Sequence, residues 1–88
     1  MKKIDEISKT QLEAATFRRL IEHLKKNTDL QNIDLMNLAG FCRNCLSRWM
    51  VEKADKMKIK LDYELSREKI YGMPYAKWKE KYQRPIKK

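Results

Sequence analysis

The apolar residues Leu35, Leu38, Cys42, Cys45 and Trp49 recur at alternating steps of three and four. That spacing returns to one face of an α-helix at every turn, whereas a strand would need alternation by two. The same period groups Phe17, Leu20, Ile21 and Leu24 upstream and Tyr75, Trp78 and Tyr82 downstream. Leu46, Met50, Ala54 and Met57 widen the central stripe. A chain patterned this way throughout is expected to be all-α. The arrangement predicted is a compact bundle of four or five helices, with the cysteine-bearing stretch at its core.

Punctuation along the chain supports this. Glycine and proline number two each, too few for many tight turns. Thr10 and Glu13 have capping-box spacing, as do Ser8 and Gln11, so the first helix is predicted to start near Thr10 and to end at Asn27. Thr28 with Gln31, or Asn32 alone, can open a second helical stretch that runs to about Met57. Gly40 lies inside it and marks either a break between two helices or a close contact. Lys58 to Leu61 form a connector, Asp62 caps a third helix, and Gly72 fits the position after its end at Tyr71. Pro74 then opens a short helix carrying Tyr75, Trp78 and Tyr82 on one face, with Trp78 expected to be buried. The domain plan is a flexible N-terminus over residues 1–9, one helical domain over 10–83 and a loose basic tail over 84–88.

A chain of 88 residues makes one small domain, which a partner subunit would help to stabilise. No stretch reaches the roughly eighteen apolar residues of a membrane span. No apolar run follows Lys2 and Lys3, so the start does not have the form of a secretory signal. A cytoplasmic, reducing setting is expected, with Cys42 and Cys45 as thiols or metal ligands. The net charge of +9 favours solubility and raises the weight of a polyanionic partner such as nucleic acid.

Two segments are distinctive. One runs from Gln31 through Gly40-Phe41-Cys42-Arg43-Asn44-Cys45-Leu46-Ser47-Arg48-Trp49; the other is Tyr71-Gly72-Met73-Pro74-Tyr75 followed by Trp78-Lys79. Both resemble the signature of a short bacterial family, the domain-of-unknown-function family numbered twelve forty-four. The resemblance extends from about Glu13 to Gln83. It implies a compact helical fold in a bacterial protein and implies no activity, since the family is named for lacking one.

The residues that could carry chemistry are few. Cys42 and Cys45 are three apart, so on a helix their sulfurs share a face. That is half of a tetrahedral site, so zinc or iron could be held there if ligands came from elsewhere. His23 is the only histidine and lies on the charged side of its helix, so a site shared across a homodimer would be the simplest completion. A redox role instead needs a break at Gly40, which would bring Cys42 to a helix start beside Arg43. Core packing in the seam is the simplest reading of both cysteines, and no cofactor is expected. Asp34, Asn37, Phe41, Asn44 and Arg48 would form one polar line on a continuous helix, able to bind a small ligand or peptide. Tyr71, Tyr75, Trp78 and Tyr82 among lysines could grip single-stranded nucleic acid, or could simply be a buried face. Catalysis finds no support, for there is no phosphate loop and no serine or cysteine that pairs with His23 in sequence. The function expected is a non-enzymatic interaction module for a protein or nucleic acid. The alternative is a thiol-based metal or redox protein using Cys42 and Cys45.

Overall fold

The computed structural model describes residues 4–85, which form five α-helices and no strand. These are α1 (Glu6–Lys26), α2 (Asn32–Ala39), α3 (Arg43–Lys56), α4 (Tyr63–Tyr71) and α5 (Tyr75–Tyr82). The helical bundle expected from the apolar period is therefore observed. No helix among the described residues is long and apolar enough to cross a membrane. The expectations for residues 1–3 and 86–88, the outer parts of the N-terminus and the basic tail, fall outside the described residues.

The first helix starts earlier than Thr10. Asp5 caps it, its Oδ1 accepting from the Ser8 N–H at 2.7 Å, and Thr10 instead donates back to the Glu6 carbonyl at 2.9 Å. Asn27 ends it as expected, with its amide nitrogen donating to the His23 carbonyl at 2.8 Å. Residues 4–13 are exposed throughout, Ile4, Ile7 and Leu12 included. Burial sets in at Ala14 and is complete at Ile21 and Leu24.

The central stretch is two helices. Gly40 takes the left-handed conformation at φ +77° and donates its N–H to the Met36 carbonyl at 3.0 Å, closing α2. Cys42 is the extended N-cap residue of α3. This break splits the seam. Leu35, Cys42 and Cys45 remain in the core, but Leu38 is 89% exposed and Trp49 44% exposed, because the chain changes direction between them.

The last two helices follow the expected plan. Asp62 caps α4 by accepting from the Leu65 N–H at 2.8 Å. Gly72 ends it at φ +81°, with the Lys25 stem packed where a side chain would begin. Pro74 leads into α5. α4 packs against α1, α3 and α5. Ser66 and Ser47, both fully buried, let α4 approach α3, and the Ser66 hydroxyl donates to the Ser47 carbonyl at 2.8 Å. Trp78 is buried, with the Tyr71 ring edge-on at 5.0 Å and the Tyr82 ring at 5.8 Å; Tyr75 packs on Tyr71 at 5.3 Å.

Candidate functional site

The turn after Gly40 determines what the Cys42-Arg43-Asn44-Cys45 element can do. It starts a helix at Arg43, so four neighbouring side chains leave a helix N-terminus in different directions. Arg43 turns inward and is 1% exposed. Its Nη1 donates to the Leu30 carbonyl at 2.6 Å and to Asn32 Oδ1 at 3.1 Å. Its Nη2 donates to the Leu24 carbonyl at 3.3 Å and the Asn27 carbonyl at 3.0 Å, at the C-terminal end of α1. The Trp78 ring lies 4.8 Å from the guanidinium carbon. Among the described residues the ion pair formed is Arg67 with Glu64, so Arg43 meets no carboxylate. Its charge is balanced by carbonyl dipoles, the negative end of α1 and an aromatic face, with Asp29 attracting it from beyond ion-pair distance. Burial lowers its pKa from the ordinary value, yet an arginine stays charged.

A polar chain continues from it. Asn32 Nδ2 donates to the Tyr71 hydroxyl at 3.0 Å, and that hydroxyl donates to Asn44 Oδ1 at 2.7 Å. Burial pushes the Tyr71 phenol well above its ordinary range, so it serves as a neutral donor. These bonds tie α2, α3 and α4 together and hold the start of α3 in place.

Cys42 and Cys45 are buried in the same core cluster as Tyr71 and Trp78. Their sulfurs are 3.6 Å apart, and both thiols are buried and reduced. Met36 Sδ lies 3.7 Å from Cys45 Sγ, and Arg48 Nη2 lies 3.8 Å from the same sulfur. Burial raises the Cys42 thiol. Burial also acts to raise Cys45, but hydrogen bonds from the Cys42 backbone and thiol and the Arg48 guanidinium outweigh it, and its pKa falls below the ordinary value. The helix break at Gly40 is present, but the rest of the redox expectation is not met: the Cys42 thiol is raised, the lowered one is Cys45, and the nearby cation is Arg48, because Arg43 is committed to the core. No cluster of three or more His, Cys, Asp or Glu side chains suited to a metal occurs among the described residues, and His23 is exposed on α1.

The polar line is not assembled as one line, since it presupposed a continuous helix. Asp34 and Asn37 are exposed on α2. Phe41 lies in the turn with its ring 6.1 Å from that of Trp49. Asn44 belongs to the Tyr71 network and Arg48 to the thiols. The aromatic and basic set is divided as well: Tyr71 and Trp78 are buried, which leaves the lysines of α5 without those faces for base stacking. The sequence reading took Asn32 as a helix cap and Arg43 as a cation beside Cys42, and missed their part in a buried network, and it missed Met36 beside the thiols. The one available signal was a cation three residues after a helix-breaking glycine, at the first position of the next helix, where the positive end of a helix disfavours it.

The surface carries an apolar face. Phe17 borders three adjoining grooves of about 500, 260 and 430 Å³. Met50 and Ile70 line the first, Trp49 and Leu46 the second, Leu12 and Leu20 the third. Arg18, Lys25, Lys53 and Lys69 stand around them, together with Glu13 and Glu22.

The model of the family described as "Protein of unknown function (DUF1244)" matches residues 30–88. That span holds the Gly40 break, both cysteines and the aromatic helix, while α1 precedes it. No curated protein matches the chain.

Proposed function

The chain belongs to the DUF1244 family, and on that premise we propose that it is a non-enzymatic interaction module that binds a protein through the apolar face of α1 and α3. The observation that carries this reading is the run of grooves around Phe17, flanked by exposed Leu12 and Trp49. Contiguous apolar surface of this kind marks interaction sites. A half-exposed tryptophan beside a phenylalanine is the type of anchor that dominates interface energies. Four cations against two glutamates around the grooves favour a partner whose contact is acidic on balance. Nucleic acid is the weaker choice because Tyr71 and Trp78 are buried.

A photo-crosslinking side chain in place of Trp49 should give a discrete protein adduct in cells, and one in place of exposed Glu80 should not. Leu12→Glu, at an exposed position, should abolish the Trp49 adduct without unfolding the chain. Equal adducts at both positions, or none at Trp49, would sink the reading.

A second reading is thiol chemistry at Cys42 and Cys45. The 3.6 Å separation of their sulfurs at a helix start supports it. Stoichiometric metal binding, or closure of a disulfide by the native protein, would test it.

A further inference from the structure

The thiol pair has a third sulfur beside it. Met36 is in α2, Cys42 in the turn and Cys45 in the first turn of α3. On a continuous helix Met36 and Cys45 would stand about 13 Å apart along the axis. The break at Gly40 folds α2 back so that their sulfurs are 3.7 Å apart. Cys42 Sγ is 3.6 Å from Cys45 Sγ. Sulfurs bound to one metal at about 2.3 Å stand about 4 Å apart in a trigonal array. The separations of Met36 and of Cys42 from Cys45 are both near that value. Met36 is 42% exposed over thiols that are nearly covered, so the cluster opens to solvent on the thioether side.

We propose that Met36, Cys42 and Cys45 form a three-sulfur site for copper(I). The proposal rests on the thiol reading and gives it a ligand. Two thiolates and a thioether are soft donors, the set that selects copper(I) over harder ions. Zinc asks for four ligands from thiolate, imidazole or carboxylate groups, and no cluster of three such residues occurs among the described residues. Loading involves no electron transfer. Each S–H bond breaks, its proton goes to solvent, and a sulfur–copper bond forms; Met36 adds a lone pair and loses nothing. The product carries one negative charge. Arg48, whose Nη2 is 3.8 Å from Cys45 Sγ, is placed to balance it, and the N-terminus of α3 adds to the same field.

The test is an anaerobic titration of the reduced full chain with copper(I) against a chromophoric copper(I) chelator. X-ray absorption then counts the sulfur neighbours. One copper per chain with three sulfur neighbours is expected. Met36→Leu, at a half-exposed position, should keep the fold, lower the affinity at least tenfold and leave two sulfur neighbours. Arg48→Gln should weaken binding less and move loading to higher pH. Unchanged affinity in Met36→Leu, or copper displaced by equimolar zinc, overturns the proposal. If copper fails to bind but the native pair closes to a disulfide under mild oxidant, the site is wrong and the thiol reading stands. If the native thiols neither bind metal nor react before unfolding, both are wrong.

Discussion

Arg43 is held by oxygens that carry only partial charges, and this makes it hard to replace. Removing the guanidinium takes away its four hydrogen bonds, to the carbonyls of Leu24, Asn27 and Leu30 and to Asn32 Oδ1, although Leu24 and Asn27 keep a backbone donor. A hydrogen bond to a charged group contributes roughly 1.5–3 kcal/mol. Arg43→Met should therefore destabilise the fold by about 3 kcal/mol or more in urea unfolding. Arg43→Lys should recover only part of that, because an ammonium offers its donors from one point rather than from a planar fork. A loss below about 1 kcal/mol would mean that water reaches these carbonyls. The thiols give a prediction of a different kind. Cys45 lies below the ordinary thiol pKa and Cys42 above it, so thiolate appears first at Cys45 as pH rises. Peptide mapping after alkylation of the native protein over a pH series should find Cys45 modified at lower pH than Cys42. The reverse order would mean that access rather than ionisation controls the pair.

At the scale of helices, the clearest test is the α2–α3 break. A Cβ on Gly40 meets nothing within 4 Å, so a substitution there is opposed only by the backbone angle. Gly40→Ala should cost about 1–2 kcal/mol. A gain in stability on thermal unfolding would show that a continuous helix competes with the break. This element also shows what was legible beforehand. α4 and α5 could be placed from Asp62, Gly72 and Pro74, because each imposes a local backbone requirement that its neighbours satisfy. The apolar period, by contrast, stays in phase from Leu35 to Trp49 across Gly40, so periodicity could not distinguish one helix from two. The polar line from Asp34 to Arg48 inherited that ambiguity. The start of α1 was ambiguous for a similar reason, since Asp5, Ser8 and Thr10 are all good caps within one and a half turns. The Arg43 cage was legible only as a cation in an unfavourable place, with nothing to say what held it. Its acceptors are backbone carbonyls and an aromatic ring distant in sequence, and neither leaves a mark beside an arginine in a polar run.

Across the whole molecule, the first turns of α1 stand apart from the core. Residues 4–13 contribute three exposed aliphatic side chains, Ile4, Ile7 and Leu12, and no buried one. The radius of gyration is 15.1 Å, against about 12 Å for a compact chain of this length. Starting the chain at Ala14 should therefore change the unfolding free energy by less than about 1 kcal/mol. It should abolish the crosslink at Trp49 if these turns complete the binding face. A truncated chain that fails to fold would show that they brace the bundle. The cage around Arg43 also bears on how long the folded molecule lasts. Its parts come from the end of α1, the residues before α2, the start of α3 and the ring of α5, so it closes only once those segments have met. A contact completed after the folding barrier leaves the speed of folding almost unchanged and slows escape. A deficit of about 3 kcal/mol at such a contact shortens the life of the native state roughly a hundredfold. As such a contact Arg43 would be a latch in time: Arg43→Met should speed unfolding and leave the folding rate nearly unchanged, and slowed folding would overturn this.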